Sequence, residues 1–373
     1  MRRVRGCKAR VVAVGVGIMA ALVLLVLAPA ARAQTTPEPN RPPCDIPPCG
    51  PDPWPAIRAT FYYPWWNGFD TATQTPREKW SECSSTWDDS SAHFHPDFNA
   101  DGDFVKATDL YDDRSTSVMI THMQRMVAAN ITGLIASWWG PGTGEDWKFL
   151  RYILPAADSV RWVDVTTYYE EERPGGREDE QIRNYVDEML AASQDNPARF
   201  LRLWDSSREE YVRPVLFVYD PGYTNCGILD LWKAALDAAE SVFGVRPLLV
   251  VDMADDVQTR CTNHSAADFA WHAYAPAGSA GYTQTWAYGQ RQTNTVRPGF
   301  WPCTMTSESD GQVRSLSAWQ SNVNWANSHQ PKFFQLITSW NEWLEMTAVE
   351  PSSDWHSTSG LGQYLDILAQ NPL

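Results

Sequence analysis

Eight short runs rich in β-branched and aromatic residues recur along the chain, with longer amphipathic runs between several of them. The strand-like runs are Ile57–Tyr63, Ile131–Trp138, Trp162–Tyr169, Pro214–Tyr219, Pro247–Asp252, Asp268–Tyr274, Val296–Trp301 and Phe333–Trp340. Helix-like periodicity marks Ser117–Ala129, Glu178–Ala192, Leu229–Phe243, Arg314–Ala326 and Gly360–Leu368. Strand-then-helix alternation of this kind demands parallel strands joined by helical crossovers. Closure into an α/β (β/α)8 TIM barrel is the expected form, and an open doubly wound sheet has the same local pattern. The sequence shows no repeat of fixed period, so residues 56–373 are read as one domain.

The residues at the ends of these runs narrow the function. In chain order they are Tyr62-Tyr63, Trp138-Trp139, Tyr169-Glu170, Tyr219-Asp220, Asp252, Tyr274, Trp301 and Glu342. In a barrel the C-terminal strand ends meet on one face, where the βα loops build the active site. Aromatic and acidic groups therefore gather on one rim. The chain holds 19 Trp and 14 Tyr, and flat apolar rings with a polar edge suit the CH-rich faces and hydroxyls of sugars.

The start of the chain reads as an export signal over residues 1–33. Arg2, Arg3, Arg5, Lys8 and Arg10 precede the apolar run Val11–Ala28, and Ala31-Arg32-Ala33 offers a small-residue cleavage site. Retention as a membrane anchor is the alternative. Residues 34–55 carry nine prolines and read as a linker or arm. Removal of 1–33 takes away six cations and no anions, moving the formal charge from −15 to −21. Such a surface disfavours nucleic acid and anionic membranes and suits a secreted, extracellular monomer acting on a neutral oligo- or polysaccharide. Six cysteines remain, Cys44, Cys49, Cys83, Cys226, Cys261 and Cys303, an even number that favours disulfides of undetermined pairing.

The chemistry centres on Ser339-Trp340-Asn341-Glu342-Trp343-Leu344-Glu345, where the last strand runs into two carboxylates three residues apart. Glycosidic cleavage needs one group to protonate the leaving oxygen and another to act as base, nucleophile or charge stabiliser. Aromatic walls raise one carboxyl's pKa by desolvation while the other stays ionised. Trp340 and Trp343 are the expected walls, and Glu350, before Pro351, is read as structural. Asp97-x-Asn99-x-Asp101-Gly102-Asp103 resembles the first half of a calcium loop, with Thr108 where the last ligand would fall. It is a candidate structural calcium site; no other cofactor is expected, and no catalytic metal.

The run SWNEWLEMTAVEPS at 339–352 resembles the C-terminal signature of glycoside hydrolase family 99, the endo-α-mannosidase and endo-mannanase group, and its barrel relatives. Residues 59–66 (ATFYYPWW), 120–140, 212–220 and 357–368 follow the same order. The resemblance implies a (β/α)8 barrel enzyme that is endo-acting and retaining and cleaves an α-mannoside or related neutral polysaccharide. In that family one carboxylate deprotonates the sugar 2-hydroxyl, which attacks C1 to give a 1,2-anhydro sugar. The other protonates the leaving oxygen and then activates water. By motif position Glu342 is the base and Glu345 the acid/base.

Tyr63, Trp139, Glu170, Tyr219, Tyr274 and Trp343 are expected to bind substrate, and His122 is expected near the rim. Two departures bear on specificity. Leu344 and Met346 stand where the family's WNEWHEGT has His and Gly. Glu308-Ser309-Asp310-Gly311 stands where an Arg-Asp-Gly usually follows the seventh strand. Two other readings stay open: a carbohydrate-binding barrel without activity, and a hydrolase of another barrel family with a different acid/base pair.

Overall fold

Ile57-Arg58-Ala59-Thr60-Phe61-Tyr62 forms strand β1 (Ile57–Tyr62), with alternate side chains sent to opposite faces of a sheet covered on both sides. It lies in a computed structural model that describes residues 56–70, 75–78, 111–170, 178–197, 199–205, 210–219, 226–252, 269–274, 278–286, 289–301, 311–329, 332–352 and 355–373. The signal segment, the Pro-rich arm, the Asp97–Asp103 loop and the side chains of all six cysteines lie outside the described residues.

Eight parallel strands form the wall. After β1 come β4 (Gly133–Trp138), β5 (Asp164–Tyr169), β7 (Glu210–Val218), β8 (Leu248–Asp252), β9 (Phe269–His272), β11 (Gly289–Val296) and β12 (Lys332–Ile337). Each pairs in parallel with the next from β1 to β9, and β11 pairs with β12. β12 returns to β1 with Ile57 opposite Phe334 and Thr60 opposite Ile337, so first and last strands lie side by side. The ring is a nearly closed barrel. Between β9 and β11 no ladder forms among the described residues; there β10 (Ser279–Trp286) is the antiparallel hairpin partner of β11. Two short hairpins lie elsewhere among the described residues: β2 (Trp66–Asp70) on β3 (Thr75–Glu78), and β6 (Arg202–Asp205) on β7.

Helices α1 (Thr116–Ala128), α2 (Gly144–Lys148), α3 (Leu154–Val160), α4 (Glu178–Asp195), α5 (Cys226–Phe243), α6 (Leu316–Ser328) and α7 (Gln363–Gln370) complete the layer, a single π-turn (Phe149–Ile153) joining α2 to α3. None of the described helices is long and apolar enough to cross a membrane.

Strand alternation splits the core in two. Ala59, Phe61, Ile135, Tyr168, Phe217, Val250, Ala270 and Leu336 fill the barrel interior. Tyr62, Met123, Trp138, Tyr169, Trp232 and Ile337 belong to the larger cluster between wall and helices. A Cβ on Gly133 would meet the Ala59 Cβ at 2.7 Å, so β1 and β4 need glycine at that register position. At the opposite end from the Glu342–Glu345 turn, buried Arg58 ties three elements together. Its Nε donates to Gln335 Oε1 at 2.5 Å, Nη1 to the Leu368 carbonyl at 3.0 Å and Nη2 to the Asn371 carbonyl at 2.6 Å.

Seven expected strands fall within a few residues of those observed. The seventh does not: it is Gly289–Val296, not Val296–Trp301. Thr293, Asn294 and Thr295 are polar yet buried, and Asn294 Nδ2 donates to the Ala326 carbonyl of α6 at 3.5 Å. An apolar run was the wrong signal for a strand whose buried side chains are polar over three successive positions. The shift also moves the residues that follow it. Arg297-Pro298-Gly299, not Glu308–Gly311, comes directly after the seventh strand.

Candidate active site

The loop after β12 is closed on itself before it presents its carboxylates. Ser339 N donates to the Thr347 carbonyl at 3.0 Å, Val349 N to the Ser339 carbonyl at 3.1 Å, and the Ser339 and Thr347 hydroxyls are 2.9 Å apart. Ser339 Oγ accepts from the Glu342 N–H at 2.8 Å, and the Glu342 carbonyl accepts from Thr347 N at 3.2 Å. Met346 closes the turn at φ 57°, the left-handed region that glycine usually fills. Thus the Met that replaces the resemblance's Gly keeps a glycine-like backbone. Leu344 packs partly buried against the outer core.

This loop is anchored to the first strand. Asn341 Oδ1 accepts from Tyr63 N at 2.7 Å, and its Nδ2 donates to the Tyr63 carbonyl at 3.0 Å. Trp340 N donates to the Phe61 carbonyl at 2.7 Å, and Trp66 Nε1 to the Asn341 carbonyl at 3.1 Å.

Tyr63 and Tyr274 meet at the mouth, with hydroxyl oxygens 2.5 Å apart. Their electrostatic neighbours define the constellation: Tyr63 lies near Glu170 and Glu342, and Tyr274 near Glu345, Glu342 and Glu170. Burial first, then these carboxylates, holds both phenols well above their ordinary pKa, so both remain neutral. Tyr274 is set from below: Asp252 Oδ1 accepts from its N–H at 2.9 Å, and its carbonyl accepts from Thr338 Oγ1 at 2.7 Å. Tyr219, half-buried, stands 5.9 Å from the Tyr274 ring and 5.8 Å from Tyr168. On the other side half-buried Trp65 lies 4.5 Å from Tyr63 and 6.3 Å from Trp139, whose Nε1 donates to Ser137 Oγ at 3.0 Å. These rings form a continuous wall from Trp139 to Tyr219.

Glu342 is buried and Glu345 half-buried. Desolvation pushes the Glu345 carboxyl up to about 7, with the Arg297 guanidinium pulling it down. Near neutral pH it is poised between acid and base, as proton transfer in both directions requires. Arg297 is buried beside β11, where its charge reaches Glu345 and Tyr274.

Seven of the eight expected site residues, Tyr63, Trp139, Glu170, Tyr219, Tyr274, Glu342 and Glu345, are grouped at this end of the barrel. Trp343 is placed elsewhere. Fully buried, it stacks on Trp355 with centroids 5.6 Å apart, and its Nε1 donates to Glu350 Oε1. Trp340 is likewise fully buried, 5.7 Å from His122. The expected aromatic walls are therefore supplied by Tyr63, Trp65 and Tyr274, because the closed turn sends Trp340 and Trp343 into the outer core. His122 is also in that core: its Nδ1 lies 3.1 Å from the Tyr62 hydroxyl and its Nε2 3.6 Å from Glu350 Oε2. Burial lowers its pKa to about 3, leaving it neutral.

Sequence reasoning missed Trp65, Asn341, Asp252 and Arg297 as site residues. Trp65 and Asn341 sit beside residues it chose, and Asp252 stood among its strand ends. Arg297 was hidden by the misplaced seventh strand. Among the described residues, no cluster of His, Cys, Asp and Glu could hold a metal ion.

No protein-family model matches the chain. The glycoprotein endo-alpha-1,2-mannosidase of Xenopus laevis is 24% identical over 288 residues, covering 70% of this chain and 59% of the frog protein. The chain thus spans about 59% of that relative's length. The GH99 endo-alpha-mannosidase of Bacteroides thetaiotaomicron, bound to bis-tris-propane, superposes with TM-score 0.56 at 18% identity over 85% of this chain and 96% of that one. A second structure of the enzyme gives TM-score 0.51 at 16% identity over the same shares. In sequence and fold the chain is similar to the family 99 endo-α-mannosidases.

Proposed function

We propose that this chain is an exported, retaining, endo-acting glycoside hydrolase of the family 99 kind, taking an α-mannoside or related neutral polysaccharide. The observation that carries the proposal is the placement of Glu342 and Glu345 on one turn facing the Tyr63–Tyr274 pair, with Glu345 held near neutrality. Similarity to an endo-mannosidase sequence and to GH99 barrels supports the same reading.

The steps follow from the roles. Ionised Glu342 takes the proton of the sugar 2-hydroxyl as O2 attacks C1. The C1–O glycosidic bond breaks, and Glu345 gives its proton to the leaving oxygen. A 1,2-anhydro sugar remains. Glu345, now a carboxylate, takes a proton from water as that water attacks C1 and opens the ring, and Glu342 returns its proton to O2. Two inversions at C1 give net retention. With Tyr63 donating its hydroxyl proton to Tyr274, the neutral Tyr274 phenol is left to donate a hydrogen bond to charge that develops near the pair, and the ring wall excludes water. Export rests on the basic-apolar-AxA order of residues 1–33.

The test is product analysis on α-mannans and other neutral polysaccharides. Internal cleavage with a first-formed product that keeps its anomeric configuration supports the proposal. Inversion, or ordinary turnover of a 2-deoxy substrate, removes the participation mechanism. No cleavage of any polysaccharide removes the enzyme.

A further inference from the structure

The segment after β11 is built as a clamp on the Glu345 turn. Phe300 and Gln312 form an antiparallel bridge, Phe300 N donating to the Gln312 carbonyl at 2.9 Å and Gln312 N to the Phe300 carbonyl at 2.7 Å. The two segments pack so closely that a Cβ on Gly311 would meet the Trp301 ring at 2.3 Å, and one on Gly299 would meet Arg314 Cγ at 2.5 Å. From this bridge three hands reach the catalytic turn. Trp301 N donates to the Glu345 carbonyl at 2.8 Å. Arg314 Nη1 and Nη2 donate to the Met346 and Ala348 carbonyls at 2.8 and 2.7 Å. Arg297 is fixed against the bridge itself, its Nε donating to Gln312 Oε1 at 2.9 Å and its guanidinium lying 4.6 Å from the Phe300 ring centroid.

Two of these hands hold backbone; the third brings a charge. Arg297 is buried, so its guanidinium needs a negative partner. The groups its charge reaches are the Glu345 carboxyl and the Tyr274 hydroxyl. Among the described residues Tyr274, just past the end of β9, feels the charge of Glu345, and Glu342, on the same turn, and Glu170 act on that tyrosine in turn. Arg297 is thus the cation turned toward the acid/base of the proposed reaction.

We propose that Arg297, locked by Gln312 and Phe300 beside the turn that Trp301 holds, is a positioning residue whose fixed charge stabilises the Glu345 carboxylate once its proton has left. The inference rests on the acid/base role given to Glu345. When Glu345 protonates the leaving oxygen it becomes a buried carboxylate, and a fixed cation beside it lowers the free energy of that charged state. The same cation sets the pH above which Glu345 is no longer an acid.

The experiment is the pH dependence of kcat/KM for the full-length enzyme and for Arg297→Gln, Arg297→Lys and Gln312→Leu. Glu345 must be protonated for the first step, so its titration forms the basic limb. Removing the cation moves that limb to higher pH by about one unit, the usual size of a single nearby charge. Arg297→Lys returns the limb most of the way, because charge is kept. Gln312→Leu, which leaves the guanidinium but loosens it, lowers kcat several-fold with a smaller limb shift. A structural role alone lowers activity with the limb unmoved in every variant, and that result overturns the inference. If Arg297→Gln does not fold, Gln312→Leu still decides it: a fall in kcat with the basic limb at the wild-type pH counts against the proposal.

Failure of the underlying reading looks different. There, Glu345→Gln keeps wild-type activity, or wild-type protein cleaves nothing. In that case carbon-13 titration of the Glu345 carboxyl in wild-type protein and Arg297→Gln still tests the charge coupling. An unchanged midpoint would then sink the charge pairing on its own.

Discussion

Asn341 grips both backbone polar groups of Tyr63, accepting from its N–H and donating to its carbonyl. The two residues are 278 positions apart in the chain. The same amide nitrogen lies 3.2 Å from the Tyr111 hydroxyl, which donates to Glu350 Oε1 at 2.8 Å. Asn341→Leu removes this grip and leaves two buried backbone groups without their partner. Each orphaned group costs about 1–3 kcal/mol. The expected outcome is a clear drop in urea midpoint with unchanged m-value, and a fall in kcat because Tyr63 and Glu342 lose their common frame. Asn341→Asp, which keeps the acceptor and loses the donor, falls between.

The carboxylate pair is separable by leaving group. Glu345→Gln is expected to abolish cleavage of ordinary glycosides, while aryl substrates that leave without protonation lose far less in the first step. Glu342→Gln is expected to be severe for both. Steady-state and burst kinetics on the two substrate types check this, with circular dichroism to confirm the fold.

Stability should fall as pH rises from about 6.5 to about 8. Burial pushes Glu350 up to about 8, opposed by hydrogen bonds from Trp343 and Tyr111, and raises Asp113 to about 7. Groups whose folded pKa is raised contribute stability below their unfolded values, 4.5 and 3.8, and lose it as pH passes the folded ones. Buried His122 and His272 have the opposite sign. Lowered by burial to about 3, they contribute above 6.5 and lose that contribution as pH falls. Below 6.5 the two sets oppose; above it the carboxyls act alone. Glu350→Gln should flatten the decline, by up to about 1.4 kcal/mol per pH unit. Thermal melts of both proteins from pH 6.5 to 8.5 measure it.

Gly133→Val tests the closeness of β1 and β4. A Cβ there meets the Ala59 Cβ at 2.7 Å and its Cα at 3.3 Å, and backbone on the far side cannot swing away. Overpacking of this kind costs about 1–3 kcal/mol or more. Gly133→Val paired with Ala59→Gly should recover part of the loss. Equal melting of the single variant and wild type would contradict the register.

Strand positions were legible wherever burial on both faces wrote an apolar run, as in Leu248–Asp252 and Gly133–Trp138. β11 was not, because Thr293, Asn294 and Thr295 are buried as polar residues. With it went Arg297, whose role depends on where the strand stops. The site residues read from strand ends converge because parallel strands share a direction. Trp343 shows the limit of that rule. Once the chain leaves β12 the alternation ends, and the Ser339–Thr347 closure decides which neighbour of Glu342 faces the mouth. No residue-level pattern announces a turn that depends on Met346 at φ 57°.

The ladder between β1 and β12 sets how damage to this protein will look in an assay. Tyr63 reaches the mouth from one end of the described barrel sequence and Glu342 from the other, and they share a frame along the seam from Ile57 opposite Phe334 to Thr60 opposite Ile337, continued by the Asn341 grip on Tyr63. A molecule with that seam undone has its carboxylates and its tyrosines in separate pieces. Heat, nicking or ageing should therefore reduce the number of working molecules in a preparation and leave each survivor at full strength. Maximal velocity would decline with time while KM stayed constant, and titration of active sites would follow the velocity one for one.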